Sequence, residues 1–230
     1  MKIQIEAVIF DLDGLMFDTE PLYKSAWQGA ASELGYPIKD NLYMTLIGKN
    51  NTDSEKAVVE AYGSGFPLTE FRGLWRRKWR ELIESEGVPF KNGLLELLDL
   101  LSLYQFPVGV ATSSDQDEVR LLLETSGLIE RFNCIVTGDL VARGKPAPNI
   151  YLEAARQLNV EPTLCIALED SNSGALSAIS AGMNTIVIPD LLELTDEVIS
   201  LSLDVVPSLT EVKHIIECLM KASGRSVVRS

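Results

Sequence analysis

One histidine, three cysteines and no apolar run long enough to cross a bilayer are the scarcities of this 230-residue chain. The histidine, His214, falls in the C-terminal helical pattern "EVKHIIECLM" and reads as structural, which disfavours hydrolysis or phosphoryl transfer through an imidazole. Cys134, Cys165 and Cys218 stand far apart in apolar surroundings. That is the pattern of reduced, buried core residues, and it argues against a disulfide frame or a thiolate metal site. The longest apolar stretch, "GLLELLDLLSLY" (93–104), carries Glu96 and Asp99 at helical spacing and predicts a soluble amphipathic helix. The opening "MKIQIEAVIF" has one lysine but no long apolar segment and no small-residue cleavage site, so a cytoplasmic protein with no membrane partner is expected. Positive charge is scarce too: 20 Lys and Arg face 33 Asp and Glu, a net charge of −13. Such a surface repels nucleic acid. It also repels phosphorylated metabolites, so any site for them must supply its own local positive charge. No solenoid-period repeat or low-complexity tract is present.

What the chain does have is 46% hydrophobic residues, enough for one packed domain with a smaller insertion. Short β-branched runs end abruptly in polar residues: "IEAVIF" before Asp11, "PVGVAT" before Ser113, "LCIAL" before Glu169 and "TIVIP" before Asp190, with "NCIVTG" before Asp139 a weaker case. Helical patterns over 93–103, 115–126, 148–158 and 173–182 separate them. Buried strands alternating with amphipathic helices predict an α/β fold, a doubly wound parallel sheet covered on both faces. Right-handed crossovers place every strand's C-terminal end on one edge, where ligands of open α/β sheets bind. Residues 18–90 break the alternation and read as helices only, over 20–34, 40–47, 52–62 and 68–86. The expected organisation is therefore a core of residues 1–17 and 91–230 with an inserted all-α cap at 18–90 over that edge.

Polar residues collect at the strand ends: Asp11 and Asp13, Thr112, Lys145 in "RGKPAPNIY", and Glu169 with Asp170 in "ALEDSNSG". Like charges repel and are costly to desolvate, so clustered acids make sense around a hard divalent cation such as Mg2+. Lys145 supplies a point charge for a phosphoryl oxygen, Thr112 a hydroxyl, and the turn near Ser113 backbone N–H groups. A carboxylate nucleophile would split hydrolysis into two easier steps, and an acid two residues on could protonate the leaving oxygen and then activate water. Asp18 and Thr19 read as a helix start, Thr19 as N-cap with Pro21 soon after. Ser171 and Asn172 read as loop-orienting or capping residues, and Gly174 and Ala175 as a close helix contact. In "RGLWRRKWRE" (72–81), Trp75, Trp79 and Leu82 share a helical face and are expected inside the insertion, with Arg76, Arg77 and Arg80 outside.

The "DLDG" turn, "VATSS", "GKPAPNIYLEAARQL" and "LEDSNSGALSAISAGM", in this order and spacing, resemble the haloacid dehalogenase superfamily over nearly the whole chain. The resemblance implies a Rossmann-like core, Asp11 as nucleophile and Asp13 as general acid/base. It implies Thr112 and Lys145 as phosphate ligands. Metal ligation would fall to Asp11, Glu169, Asp170 and the backbone carbonyl of Asp13. The insertion resembles the helical cap of the β-phosphoglucomutase-like branch, whose phosphatases act on sugar phosphates and pseudouridine 5′-phosphate. On that likeness Glu20, Lys49 with Asn50, and Lys78 are candidate substrate contacts. The branch's mutases carry a histidine where Tyr23 stands and an arginine near Asn51, departures that weaken a mutase reading. A dehalogenase would have no need of Asp13 or a metal, and a non-catalytic binding protein would often have lost a catalytic group, of which none is missing. The expectation is a Mg2+-dependent phosphatase of a small phosphorylated metabolite, a monomer or weak dimer.

Overall fold

The computed structural model describes residues 4–47, 49 and 51–223. Six parallel strands form its sheet: β1 (Ala7–Phe10), β2 (Val108–Ala111), β3 (Cys134–Val136), β4 (Cys165–Glu169), β5 (Asn184–Val187) and β6 (Asp204–Val205), in the order β3-β2-β1-β4-β5-β6. Between β1 and β2 lie α1 (Glu20–Glu33), α2 (Asp40–Tyr43), α3 (Asn51–Tyr62), α4 (Leu68–Glu86) and then α5 (Leu94–Leu103). The remaining helices are α6 (Gln116–Thr125), α7 (Asn149–Leu158), α8 (Asn172–Ser180), α9 (Asp196–Leu201) and α10 (Leu209–Ser223).

The period-2 geometry of β1 divides the core. Val8 and Phe10 join Leu97 and Leu101 of α5, Leu122 of α6 and Ile216 of α10 on one face. Ala7 and Ile9 join Ile150, Tyr151 and Ala154 of α7 and Ala178 of α8 on the other. The small residues Ala7, Ala111 and Ala167 on this second face make room for the ring of Tyr151, which is fully buried. The result is a Rossmann-like α/β fold. Successive crossovers run outward in opposite directions from β1, so a crevice opens between the C-terminal ends of β1 and β4.

In the helical insertion, α1 packs along α4 through an aromatic core. Trp27 meets Phe71 edge-on at 5.1 Å and Trp75 at 5.4 Å, and Tyr23 stacks on Trp79 at 5.2 Å. Trp75 and Trp79 are buried while Arg76, Arg77 and Arg80 are exposed, as the spacing predicts. The two connections to the sheet run side by side: Asp18 N–H donates to Pro89 O at 2.9 Å, Lys91 N–H to Met16 O at 2.9 Å, and the rings of Phe17 and Phe90 lie 5.7 Å apart.

Three expectations need correction. Helix α2 stops at Tyr43 instead of continuing to 47; the Thr45 hydroxyl donates to Leu42 O at 2.7 Å and closes its end. Cys218 is exposed on α10, whereas Cys134 and Cys165 are buried. The third concerns Thr19 and belongs to the site below. Among the described residues no helix is long and apolar enough to cross a membrane.

Candidate active site

The chain leaves β1 at Asp11, whose N–H still donates to Leu168 O of β4 at 3.0 Å, and leaves β2 at Thr112, whose N–H donates to Val136 O of β3 at 3.1 Å. Parallel pairing therefore brings the ends of β1, β2 and β4 together. Lys145, on the loop between β3 and α7, reaches into this edge. Its Nζ lies 2.5 Å from Asp11 Oδ1 and 2.5 Å from Glu169 Oε1, and 5.2 Å from the centre of the Tyr151 ring. Burial works against the Lys145 charge, but Asp11 and Glu169 outweigh it and raise the ammonium above its ordinary value. Burial pushes the Asp11 carboxyl up to about 8, against the pull of Lys145 and with added repulsion from Glu169 and Asp13. Asp170 is raised well above the ordinary carboxyl range, by burial first and then by Asp11 and Glu169.

Glu169 is fully buried and is the most heavily bonded of these acids. Besides Lys145 it accepts from Tyr151 OH at 2.6 Å, from Ser171 Oγ at 3.2 Å and from the Asp170 N–H at 3.2 Å. Ser171 caps α8 by accepting from the Gly174 N–H at 3.1 Å. Gly174, expected to serve helix packing, has a sharper reason: a Cβ there would overlap the Glu169 carboxylate. Gly14, at φ +84°, likewise lets the chain after Asp13 pass Asp170, whose carboxylate a Cβ would strike.

Asp13 is gripped from two sides. Thr19 Oγ donates to its Oδ1 at 2.8 Å and Ser114 Oγ to its Oδ2 at 2.7 Å. Burial raises its carboxyl, and those two hydrogen bonds oppose the rise. Thr19 therefore does not cap α1 with its side chain; it occupies the capping position but spends its hydroxyl on Asp13.

Oxygens of Asp11, Glu169 and Asp170 lie within 4.8 Å of one another, with one lysine against three acids. An all-oxygen, carboxylate-rich donor set that is buried and under-neutralised fits a hard divalent cation.

Above this edge is a cavity of about 370 Å3. Asp11, Asp13, Thr112, Ser113, Lys145 and Asp170 form its floor. Glu20, Tyr23, Tyr43, Lys49 and Asn51 face them from the insertion, and Leu191 and Leu192 from the loop after β5 close the side. Burial raises the Glu20 carboxyl, with the Tyr43 hydroxyl bonded to it in opposition. Lys78, an expected substrate contact, does not line the cavity; its ammonium pairs with Glu33 of α1 at 2.9 Å. Asn50 lies outside the described residues. The sequence reading missed Ser114, Tyr43 and Tyr151, and also Asp190, which lines the cavity and pairs with Lys91 at 2.6 Å. Tyr151 had a signal in its place six residues after Lys145 and Asp190 in its place at the end of "TIVIP"; Ser114 and Tyr43 are joined to the site only by folding.

Comparison with known proteins agrees with this geometry. Residues 8–188 match the model of the haloacid dehalogenase-like hydrolases. The chain is 34% identical over 182 residues to a phosphorylated carbohydrates phosphatase of Thermotoga maritima, covering 79% of this chain and 84% of that one. It is 32% identical over 185 residues to the β-phosphoglucomutase of Bacillus subtilis, covering 78% and 81% respectively. Among solved structures, CbbY of Rhodobacter sphaeroides in complex with phosphate superposes with a TM-score of 0.77 at 26% identity, over 91% of this chain and 96% of that one.

Proposed function

The chain belongs to the haloacid dehalogenase-like hydrolases, and on that premise we propose that it is a Mg2+-dependent phosphatase of a small phosphomonoester, sugar phosphates first. The observation that carries this reading is the meeting of Asp11, Lys145, Glu169 and Asp170 beneath a cavity of about 370 Å3, a size that suits a metabolite and not a phosphoprotein. Residues 18–90 act as a cap domain over a core of 1–17 and 91–230.

Asp11 attacks phosphorus as the bond to the leaving oxygen breaks, giving an aspartyl-phosphate. Asp13, whose carboxyl burial holds above its ordinary range, gives its proton to the departing alkoxide. The resulting Asp13 carboxylate takes a proton from water, which attacks phosphorus and returns Asp11 as a carboxylate with release of phosphate. Lys145 and Thr112 hold phosphoryl oxygens through both steps. Asp11, Glu169, Asp170 and the Asp13 carbonyl would hold the metal, which when bound offsets phosphoryl charge. Seating of the cap keeps bulk water from the first step. Against a mutase, Tyr23 and Asn51 are already hydrogen-bonded to Glu118 of the core and supply no cation for a second phosphate.

The test is phosphate release from a panel of small phosphomonoesters, with and without Mg2+. The panel includes sugar and deoxysugar phosphates, pseudouridine 5′-phosphate, FMN and β-glucose 1-phosphate. Metal-dependent release that Asp11→Asn abolishes is expected. Release unaffected by that substitution would overturn the mechanism, and no release from any member would overturn the phosphatase reading.

A further inference from the structure

One buried acid has no part in the chemistry above. Glu118, in the first turn of α6, is 4% exposed. A carboxyl at that depth is costly unless its oxygens are satisfied. Its side-chain donors come from across the seam between core and insertion. Asn51 Nδ2 of α3 lies 3.2 Å from Oε1 and 3.4 Å from Oε2, and Tyr23 OH of α1 donates to Oε2 at 3.4 Å. Arg76 of α4 stands 4.0 Å from Oε1 and pairs with Asp115, the N-cap of α6, at 2.7 Å. One carboxyl of the core thus meets three helices of the insertion.

Two of those partners, Tyr23 and Asn51, line the cavity. The Tyr23 ring is fixed by its stack on Trp79 and by Trp75 at 6.1 Å, so what remains to be directed is the hydroxyl. That hydroxyl also lies beside Ser114, the residue that donates to Asp13. Glu118, Tyr23, Ser114 and Asp13 are thus successive neighbours from the seam to the catalytic edge.

We propose that Glu118 is a positioning residue: from the core it orients Tyr23 and Asn51 over the cavity and holds the helical insertion seated on the catalytic edge. The proposal rests on the phosphatase reading, whose leaving group must sit against those two side chains.

Burial pushes the Glu118 carboxyl up to about 8, Asp115 and Asp13 add repulsion, and Arg76 opposes. Tyr23 also faces it, and Arg77, Arg80 and Asp117 line the same seam. With the insertion lifted, the carboxyl returns to water and to the ordinary glutamate value near ~4.3. The seated form therefore binds the proton more tightly. Seating is favoured at low pH and weakens as pH rises from the ordinary value through about 8. Glutamine at this position would not titrate.

The test is steady-state kinetics of wild type, E118A, E118Q and Tyr23→Phe on the best substrate of the panel. E118A is expected to raise KM by about tenfold or more while lowering kcat less, with E118Q within about threefold of wild type near pH 6. The ratio of wild-type KM to E118Q KM should rise about fivefold or more between about pH 6 and pH 8.5, a change that a merely structural role would not produce. Adding Tyr23→Phe to E118A should cost little beyond the larger single effect. KM values within twofold of wild type in E118A, or a constant wild-type to E118Q ratio across pH, would overturn the proposal. If E118A does not fold, E118Q and Tyr23→Phe carry the same comparison. If the wild type turns nothing over, the phosphatase reading fails by itself. Binding of inorganic phosphate, followed by fluorescence of Trp27, Trp75 and Trp79, then decides: about tenfold weaker binding in E118A supports the positioning role, and equal binding removes it.

Discussion

The sheet edge and the helical insertion hold their side chains in different ways. On the edge each group is tied repeatedly: Glu169 accepts from Lys145, Tyr151, Ser171 and the Asp170 N–H, and Asp13 is held between Ser114 and Thr19 at the foot of the insertion. Across the seam, the side-chain ties from the insertion to α6 are few and partly long, Asn51 and Tyr23 to Glu118 and Arg76 to Asp115. Dense bonding fixes the geometry of a reaction that is the same for every substrate. On the proposed reading, sparse bonding suits a surface that lifts to admit a metabolite and can be altered without disturbing the chemistry.

That contrast can be broken from either side. The largest effect after loss of the nucleophile is expected at Lys145. Lys145→Ala should lower kcat/KM by ~10³-fold, and leaving two buried carboxylates without their cation should cost about 3 kcal/mol of stability, read by chemical denaturation. Gly174→Ala should destabilise by about 1–3 kcal/mol and depress turnover together, because the new methyl group displaces Glu169. If it were silent, Glu169 would not be as tightly enclosed as described. On the insertion side, Lys49→Ala should raise KM for a favoured substrate by about tenfold with kcat nearly unchanged, as expected of a group that binds without reacting. A matching fall in kcat would move Lys49 into the chemistry. The smallest effect is expected at Lys78, where alanine removes only a solvent-exposed pair with Glu33; activity should stay within about twofold and the unfolding midpoint should not move measurably.

The same contrast explains what could be read in advance. The strands were legible because they are short, apolar and end in polar residues, Asp11, Thr112, Glu169 and Asp170 because they stand where those runs stop, and Lys145 because it carries positive charge on the loop after one of them. Strand β6 was not: it is two residues long and edge-placed, with an exposed Asp204 in place of an apolar run. The capping signal at Thr19 was locally sound, but a tertiary partner, Asp13, took its hydroxyl. Lys78 shows the limit of likeness, since Glu33 on the neighbouring helix captures a cation expected to face the cavity. Nothing in the sequence singles out Glu118; only the packing of three other helices buries it.

The central claim is that the edge carries the reaction through a covalent bond to Asp11. Rapid quenching of wild type and Asp11→Asn with a substrate labelled at phosphorus, in Mg2+, tests it most directly. The expected result is transient label on the peptide containing Asp11 in the wild type, released by hydroxylamine and absent from the variant. Label on another residue, or turnover by Asp11→Asn without any labelled protein, would contradict it.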